Sequence, residues 1–72
     1  SSLCAKQNRK CKCNGKLMYG DETNFVTKES NGKKKERCAD WNFKKEIKAK
    51  GSFTPTKKNC YCFNSNTEIW PY

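Results

Sequence analysis

Six cysteines and no histidine set the chemistry open to this 72-residue sequence. Without histidine, the usual general base and the usual metal ligand are both missing. Cys4, Cys11, Cys13, Cys38, Cys60 and Cys62 form an even set in a short chain, the arithmetic of a three-disulfide framework. Zinc competes for such cysteines, but the close pairs are C-x-C (Cys11-Lys12-Cys13 and Cys60-Tyr61-Cys62), not the C-x₂₋₄-C usual in structural zinc sites. No metal and no cofactor is expected. On a strand each C-x-C aims two sulfurs at one face, and a bridge within the pair would be strained. Of the 15 pairings open to six cysteines, excluding those two bridges leaves ten, and the sequence does not choose among them.

With every thiol expected to be paired, catalysis would fall to the seven acids. Glu22, Glu29 and Glu36 recur every seven residues, but Asn31-Gly32 interrupts any helix that would give them a common face. No two carboxylates have a spacing that forces them together. The sequence offers no catalytic residue, and no enzymatic activity is expected.

The other chemical resource is positive charge. Sixteen Lys and Arg against seven Asp and Glu give +9, and fourteen of the sixteen are lysine. Solubility alone asks for a net charge of only about 2–8 in a small domain. Lysine is a hydrated point charge, whereas recognition of bases and phosphates favours the arginine fork. The expected partner is a host protein or an anionic surface (phospholipid, cell-wall polymer or glycan), and nucleic acid is not expected. Three concentrations form the candidate binding patch: Lys33, Lys34 and Lys35, then Lys44, Lys45 and Lys48, then Lys57 and Lys58. Two aromatics join them. Tyr61 sits between two cysteines and faces away from their sulfurs on a strand, and Trp41 lies off the apolar stripe described below. Phe25, Phe43, Phe63 and Trp70 are expected in the core, because the aliphatic supply is one Val, two Leu, two Ile and one Met.

These residues need a scaffold. The length allows a single domain over residues 1–72, and a chain this size buries only about 60% of its unfolded surface. With 33% hydrophobic residues, the disulfides must supply what the core lacks. Stable disulfides imply an extracellular, secreted protein whose leader has been removed. No stretch approaches the ~18 apolar residues of a membrane-spanning helix, no N-x-[ST] sequon is present, and a monomer is expected.

Along the chain, Asn14-Gly15 between two short strand-like runs predicts a two-residue hairpin turn, with Cys11 and Cys13 sharing a face with Met18. For Asp21 to Asn31 two readings stand: a short helix capped by Asp21, or a second hairpin turning at Asn31-Gly32 with Lys33 to Cys38 returning. The poor helix formers Thr23, Asn24, Phe25, Val26 and Thr27 favour the hairpin. Residues 39–50 predict a helix: Ala39, Phe43 and Ile47 make one apolar stripe, Asp40–Lys44 and Glu46–Lys50 are acid-before-base pairs, and Gly51 caps the end. Ser52 to Lys58 reads as a loop and Asn59 to Phe63 as a strand. Asn64-Ser65-Asn66 reads as a turn and Thr67 to Trp70 as a last strand. The fold class is α+β, a small disulfide-stapled antiparallel sheet with one or two short helices; the alternative is a small all-β barrel.

Cys11-Lys12-Cys13, Cys60-Tyr61-Cys62 and Asn14-Gly15-Lys16 resemble pieces of the lysine-rich antifungal proteins of filamentous fungi. That resemblance implies a β-barrel acting on other fungi through its cationic surface, and the 39–50 helix does not suit it. The order C-x-C, a helix in one reading of 21–31, Cys38, helix, C-x-C is similar to killer-toxin-like effectors of plant-pathogenic fungi, which implies an α/β sandwich and a virulence role. The spacing of Cys11, Cys13 and Cys38 also looks like a C-x-C chemokine, but chemokines end in an amphipathic helix and this tail does not. The expected function is a secreted, non-enzymatic cationic effector or toxin that binds a target on or in another organism. The alternative is an antifungal protein acting on anionic membranes or cell walls.

Overall fold

The computed structural model describes residues 2–64. In chain order it contains β1 (Ser2–Ala5), β2 (Lys10–Cys11), β3 (Asn14–Gly20), β4 (Phe25–Asn31), β5 (Glu36–Arg37), a 3₁₀ turn (Asp40–Phe43), α1 (Lys44–Lys50) and β6 (Asn59–Asn64). The main sheet is antiparallel in the order β1-β6-β3-β4, and β2 pairs with β5 in a separate two-stranded ladder. The fold is therefore the disulfide-stapled α+β arrangement and not the all-β alternative. Asn64 ends β6, and the rest of the expected turn at 64–66, the strand at 67–70 and the placement of Trp70 lie outside the described residues.

Strand alternation builds the core. Leu17 stands opposite Cys62 and Lys28, and Tyr19 opposite Cys60 and Val26, so all share the inner face. Onto that face fold the 3₁₀ turn and α1, with Phe43 fully buried and Ile47 packed at the margin. The Ala39, Phe43, Ile47 stripe is thus the packed one, although its first turn is 3₁₀ and the α-helix starts at Lys44. The expected Asp40–Lys44 pair does not form, because Asp40 turns to Tyr19 and Lys58 instead. Gly51, at φ 86°, ends the helix by donating its N–H to the Ile47 carbonyl at 3.1 Å.

Sulfur supplies much of what the aliphatic residues cannot. The bridges are Cys4–Cys11, Cys13–Cys62 and Cys38–Cys60, so each C-x-C sends its two cysteines to different partners. Cys11, Cys13, Cys38 and Cys60 are buried in the core cluster with Leu17, Tyr19, Val26 and Phe43.

Those bridges overturn the Asn14-Gly15 hairpin. Cys11 is tied to Cys4 and sits opposite Glu36 in the small ladder, whereas Cys13 is tied to Cys62 in the main sheet. The chain is drawn to two places there, and Asn14-Gly15 enters β3 opposite Asn31 and Ser30. Met18 accordingly faces the opposite side from Leu17 and Tyr19, between Thr27 and Tyr61. The tight turn falls instead at Asp21–Asn24, where Asp21 Oδ1 accepts the Thr23 and Asn24 N–H groups at 2.9 and 2.8 Å. Gly20, at φ 130°, admits no side chain because a Cβ would collide with the backbone of Asn24 and Phe25. Residues 25–31 form a strand, not a helix, and their partner is β3; the segment after Gly32 returns to β2.

Two expected core aromatics lie elsewhere. Phe25 and Phe63 are 39% and 38% exposed on the outer sheet face, which also carries Leu3, Met18 and Tyr61. Tyr19 takes the central place, stacking on Phe43 at 4.7 Å and on Phe53 at 5.6 Å.

Candidate functional site: a basic face around Trp41

Trp41 is 68% exposed, more than any other large hydrophobic side chain among the described residues. Its neighbours in the 3₁₀ turn are all held. On one side, Tyr19 donates its hydroxyl to Asp40 Oδ1 at 2.5 Å, and Lys58 Nζ donates to Asp40 Oδ2 at 3.2 Å. On the other, Asn42 Nδ2 donates to Glu36 Oε1 at 3.0 Å and to the Arg37 carbonyl at 2.9 Å. Lys28 Nζ donates to both the carbonyl and the Oδ1 of Asn42, at 2.8 and 2.9 Å. It also pairs with Glu36 at 3.5 Å and lies 4.9 Å over the Phe43 ring. Phe43 itself is buried. The indole is therefore displayed from an anchored turn, and its exposure is not a product of a loose loop.

The anchoring leaves a mark on the ionisable groups. Burial first, and the Asp40 carboxylate next, raise the Tyr19 hydroxyl above the ordinary tyrosine range. The Tyr19 hydrogen bond, seconded by Lys58, lowers Asp40 below the usual carboxylate range. A similar effect is seen two residues on, just past the end of β3. The Thr56 N–H, then that of Asn24, hold Asp21 well below the usual range, with Thr56 tying the 52–58 loop to the β3–β4 turn at 2.7 Å.

Three shallow concavities meet at Trp41. One is lined by Lys10, Lys34, Lys35 and Arg37, a second by Lys44 and Lys45, and a third by Lys44, Ile47 and Lys48. Two of the nearby acids, Glu36 and Asp40, are engaged in the hydrogen bonds above, and Glu46 is the third. The result is an aromatic plate with cations on several sides and positive local charge.

The sequence-predicted residues divide. Lys34, Lys35, Lys44, Lys45, Lys48 and Trp41 come together, although Lys34 and Lys35 precede β5 and Trp41 lies in the 3₁₀ turn. Lys33 and Lys57 are exposed but do not line these concavities. Lys58 is turned inward to Asp40 and lies 5.9 Å from the Phe53 ring centre. Tyr61 does face away from the sulfurs, but onto the outer sheet face beside Met18 and Phe63, apart from the lysines. Sequence reasoning missed Lys10 and Arg37, which stand opposite each other in the β2–β5 ladder. It also missed Lys28, Asn42 and Tyr19 as the groups that fix the turn. No local signal marks these: Lys28 and Tyr19 act across 14 and 21 residues, Lys10 and Arg37 through cross-strand pairing, and Asn42 by bridging to Glu36 and Arg37 outside any helical spacing.

No family model, characterised protein or solved structure matches this chain. The site stands on its own geometry. All six cysteines are in disulfides, and no group of three or more Cys, Asp or Glu among the described residues is placed to hold a metal ion. Glu22, Glu29 and Glu36 are dispersed: on the β3–β4 turn, opposite Lys16, and bonded to Asn42. No described helix is long and apolar enough to cross a membrane.

Proposed function

We propose that this protein is a secreted, non-enzymatic cationic effector or toxin that acts as a monomer and binds its target in another organism through the Trp41 face. One observation carries the reading: a 68%-exposed indole, held on an anchored turn and surrounded by lysines from separate stretches of the chain. Exposing so large an apolar side chain forgoes burial energy that a small core needs, and tryptophan is among the residues enriched where binding energy concentrates. Stapling by three disulfides suits a domain working outside the cell.

Antifungal action at membranes is the second reading, supported by the +9 charge. A membrane-inserting surface joins apolar and cationic groups along one face. Here Leu3 and Phe63 lie on the outer face of the sheet, whereas Trp41 with Lys44, Lys45 and Lys48 belongs to the layer packed on the inner face; Phe25, on the edge strand, meets Lys50 of α1 at 6.0 Å. That separation favours a discrete partner over a bilayer. The test is to infiltrate the purified protein into plant leaves and to add it to fungal cultures. Cell death in the leaf that Trp41→Ala abolishes, with fungal growth unaffected, is expected. Fungal inhibition without leaf damage would replace this reading with the antifungal one, and leaf damage untouched by Trp41→Ala would remove Trp41 from the binding face.

A further inference from the structure

Resting on the reading of the Trp41 face as the binding surface, we propose that its ligand is an acidic polysaccharide. One sugar ring lies flat on the indole, and carboxylate or sulfate groups of the flanking sugars meet the lysines on either side. A pyranose ring presents a flat, largely C–H face on one side and hydroxyls around its edge. A single exposed indole on a rigid turn is complementary to that face, and little backbone freedom is lost on binding because the residues on either side of Trp41 are already held. The cations stand on both sides of Trp41, with Lys34 and Lys35 lining one concavity and Lys44, Lys45 and Lys48 lining others. A ligand charged only at one end would use half of them. One charged repeatedly along its length uses all.

The cation type points the same way. Lysine imposes no fork geometry, so a polymer with carboxylates or sulfates at variable registers is held without selecting one register. A nucleic-acid strand fits less well. Single-strand platforms stack successive bases on successive aromatics, and here the other exposed aromatics, Phe25 and Phe63, are on the outer sheet face. A bilayer fits less well for the reason given above.

The experiment measures binding of the intact, oxidised protein to polygalacturonate (carboxylate) and to heparin (sulfate), with anionic phosphatidylserine vesicles and a single-stranded oligonucleotide as comparison arms. Each is titrated over a range of salt concentrations with wild type, Trp41→Ala, Trp41→Phe and the double variant Lys34→Ala/Lys35→Ala. Trp41→Ala is expected to weaken binding to at least one of the two polysaccharides by about tenfold or more, the effect of covering about 60 Å² of indole. Trp41→Phe should recover part of that loss. The salt dependence should be unchanged in both Trp41 variants and shallower by up to about two in the lysine double variant. Equal binding by wild type and Trp41→Ala would overturn the proposal, since charge alone would then hold the polymer. A larger Trp41 effect on the oligonucleotide or the vesicles than on either polysaccharide would overturn it in favour of that ligand. No polysaccharide binding, together with leaf activity that still requires Trp41, would end the polysaccharide proposal while leaving the effector reading intact with a protein as its target.

Discussion

Replacing Tyr19 with Phe keeps the ring that stacks on Phe43 and Phe53 and removes only the hydroxyl that donates to Asp40. A hydrogen bond to a charged group contributes about 1.5–3 kcal/mol. The Asp40 side chain is 56% exposed and regains water when the donor goes, so the loss here is discounted to about 1 kcal/mol. For a domain of this size that lowers the thermal midpoint by about 4–8 °C. The pH dependence separates this account from a simple packing defect. Tyr19 is raised, so the native state keeps its proton after the unfolded chain has lost it. Wild type therefore loses stability as pH rises above about 10, by up to about 1.4 kcal/mol per pH unit, and Tyr19→Phe does not. Asp40 is lowered, so its share is present above about pH 3.9 and disappears as pH falls through its native value. Urea unfolding with the disulfides intact should show the gap between the two proteins open at neutral pH. It should close or reverse above about pH 10 and narrow in acid. A gap absent at neutral pH, or one that persists unchanged into alkali, would refute the role assigned to the Tyr19–Asp40 bond.

Other perturbations test other joints. Asp21→Asn should reduce stability above about pH 4 and blunt acid unfolding, because the depressed carboxylate stabilises the native state above its unfolded value and loses that as pH falls; circular dichroism across an acid titration reads it. Phe43→Ala should cost about 3–5 kcal/mol in urea unfolding, since the ring is fully buried against Tyr19. Replacing disulfides pairwise by alanine should rank with loop length: about 4 kcal/mol for Cys13–Cys62 and about 2.4 kcal/mol for Cys4–Cys11, from separations of 49 and 7 residues. Equal losses at the two bridges would show that loop entropy is not what sets their effect.

What could be read from the sequence was what depends on neighbours in sequence. The Phe43 and Ile47 part of the stripe and the cap at Gly51 are short-range features, and both are present in the fold, while Ala39 is buried but extended, ahead of the 3₁₀ turn. The exclusion of bridges within each C-x-C followed from geometry alone and is met by all three disulfides. The Asn14-Gly15 turn was misread because a local preference worth little was opposed by two bridges pulling Cys11 and Cys13 into different ladders. Phe25 and Phe63 were misplaced for a related reason. Strand parity decides which face each occupies: for Phe25 it is fixed by pairing that the sequence did not reveal, whereas Phe63, two residues after Tyr61 on the same strand, had to share the face already assigned to Tyr61. At the site, Trp41 was recognisable by falling off the apolar stripe. Five of its cations, Lys34, Lys35, Lys44, Lys45 and Lys48, were legible as local charge clusters, whereas Lys10 and Arg37 were not, because they reach it only through the small ladder.

The most direct test of the Trp41 face is residue-resolved. Backbone and indole N–H signals would be followed by NMR as the oxidised protein is titrated with oligogalacturonate. The largest shifts are predicted at the Trp41 indole and at Lys34, Lys35, Lys44, Lys45 and Lys48, all lining its concavities. Shifts centred on Leu3, Met18, Tyr61 and Phe63, with Trp41 unmoved, would place the binding surface on the outer sheet face and contradict the account.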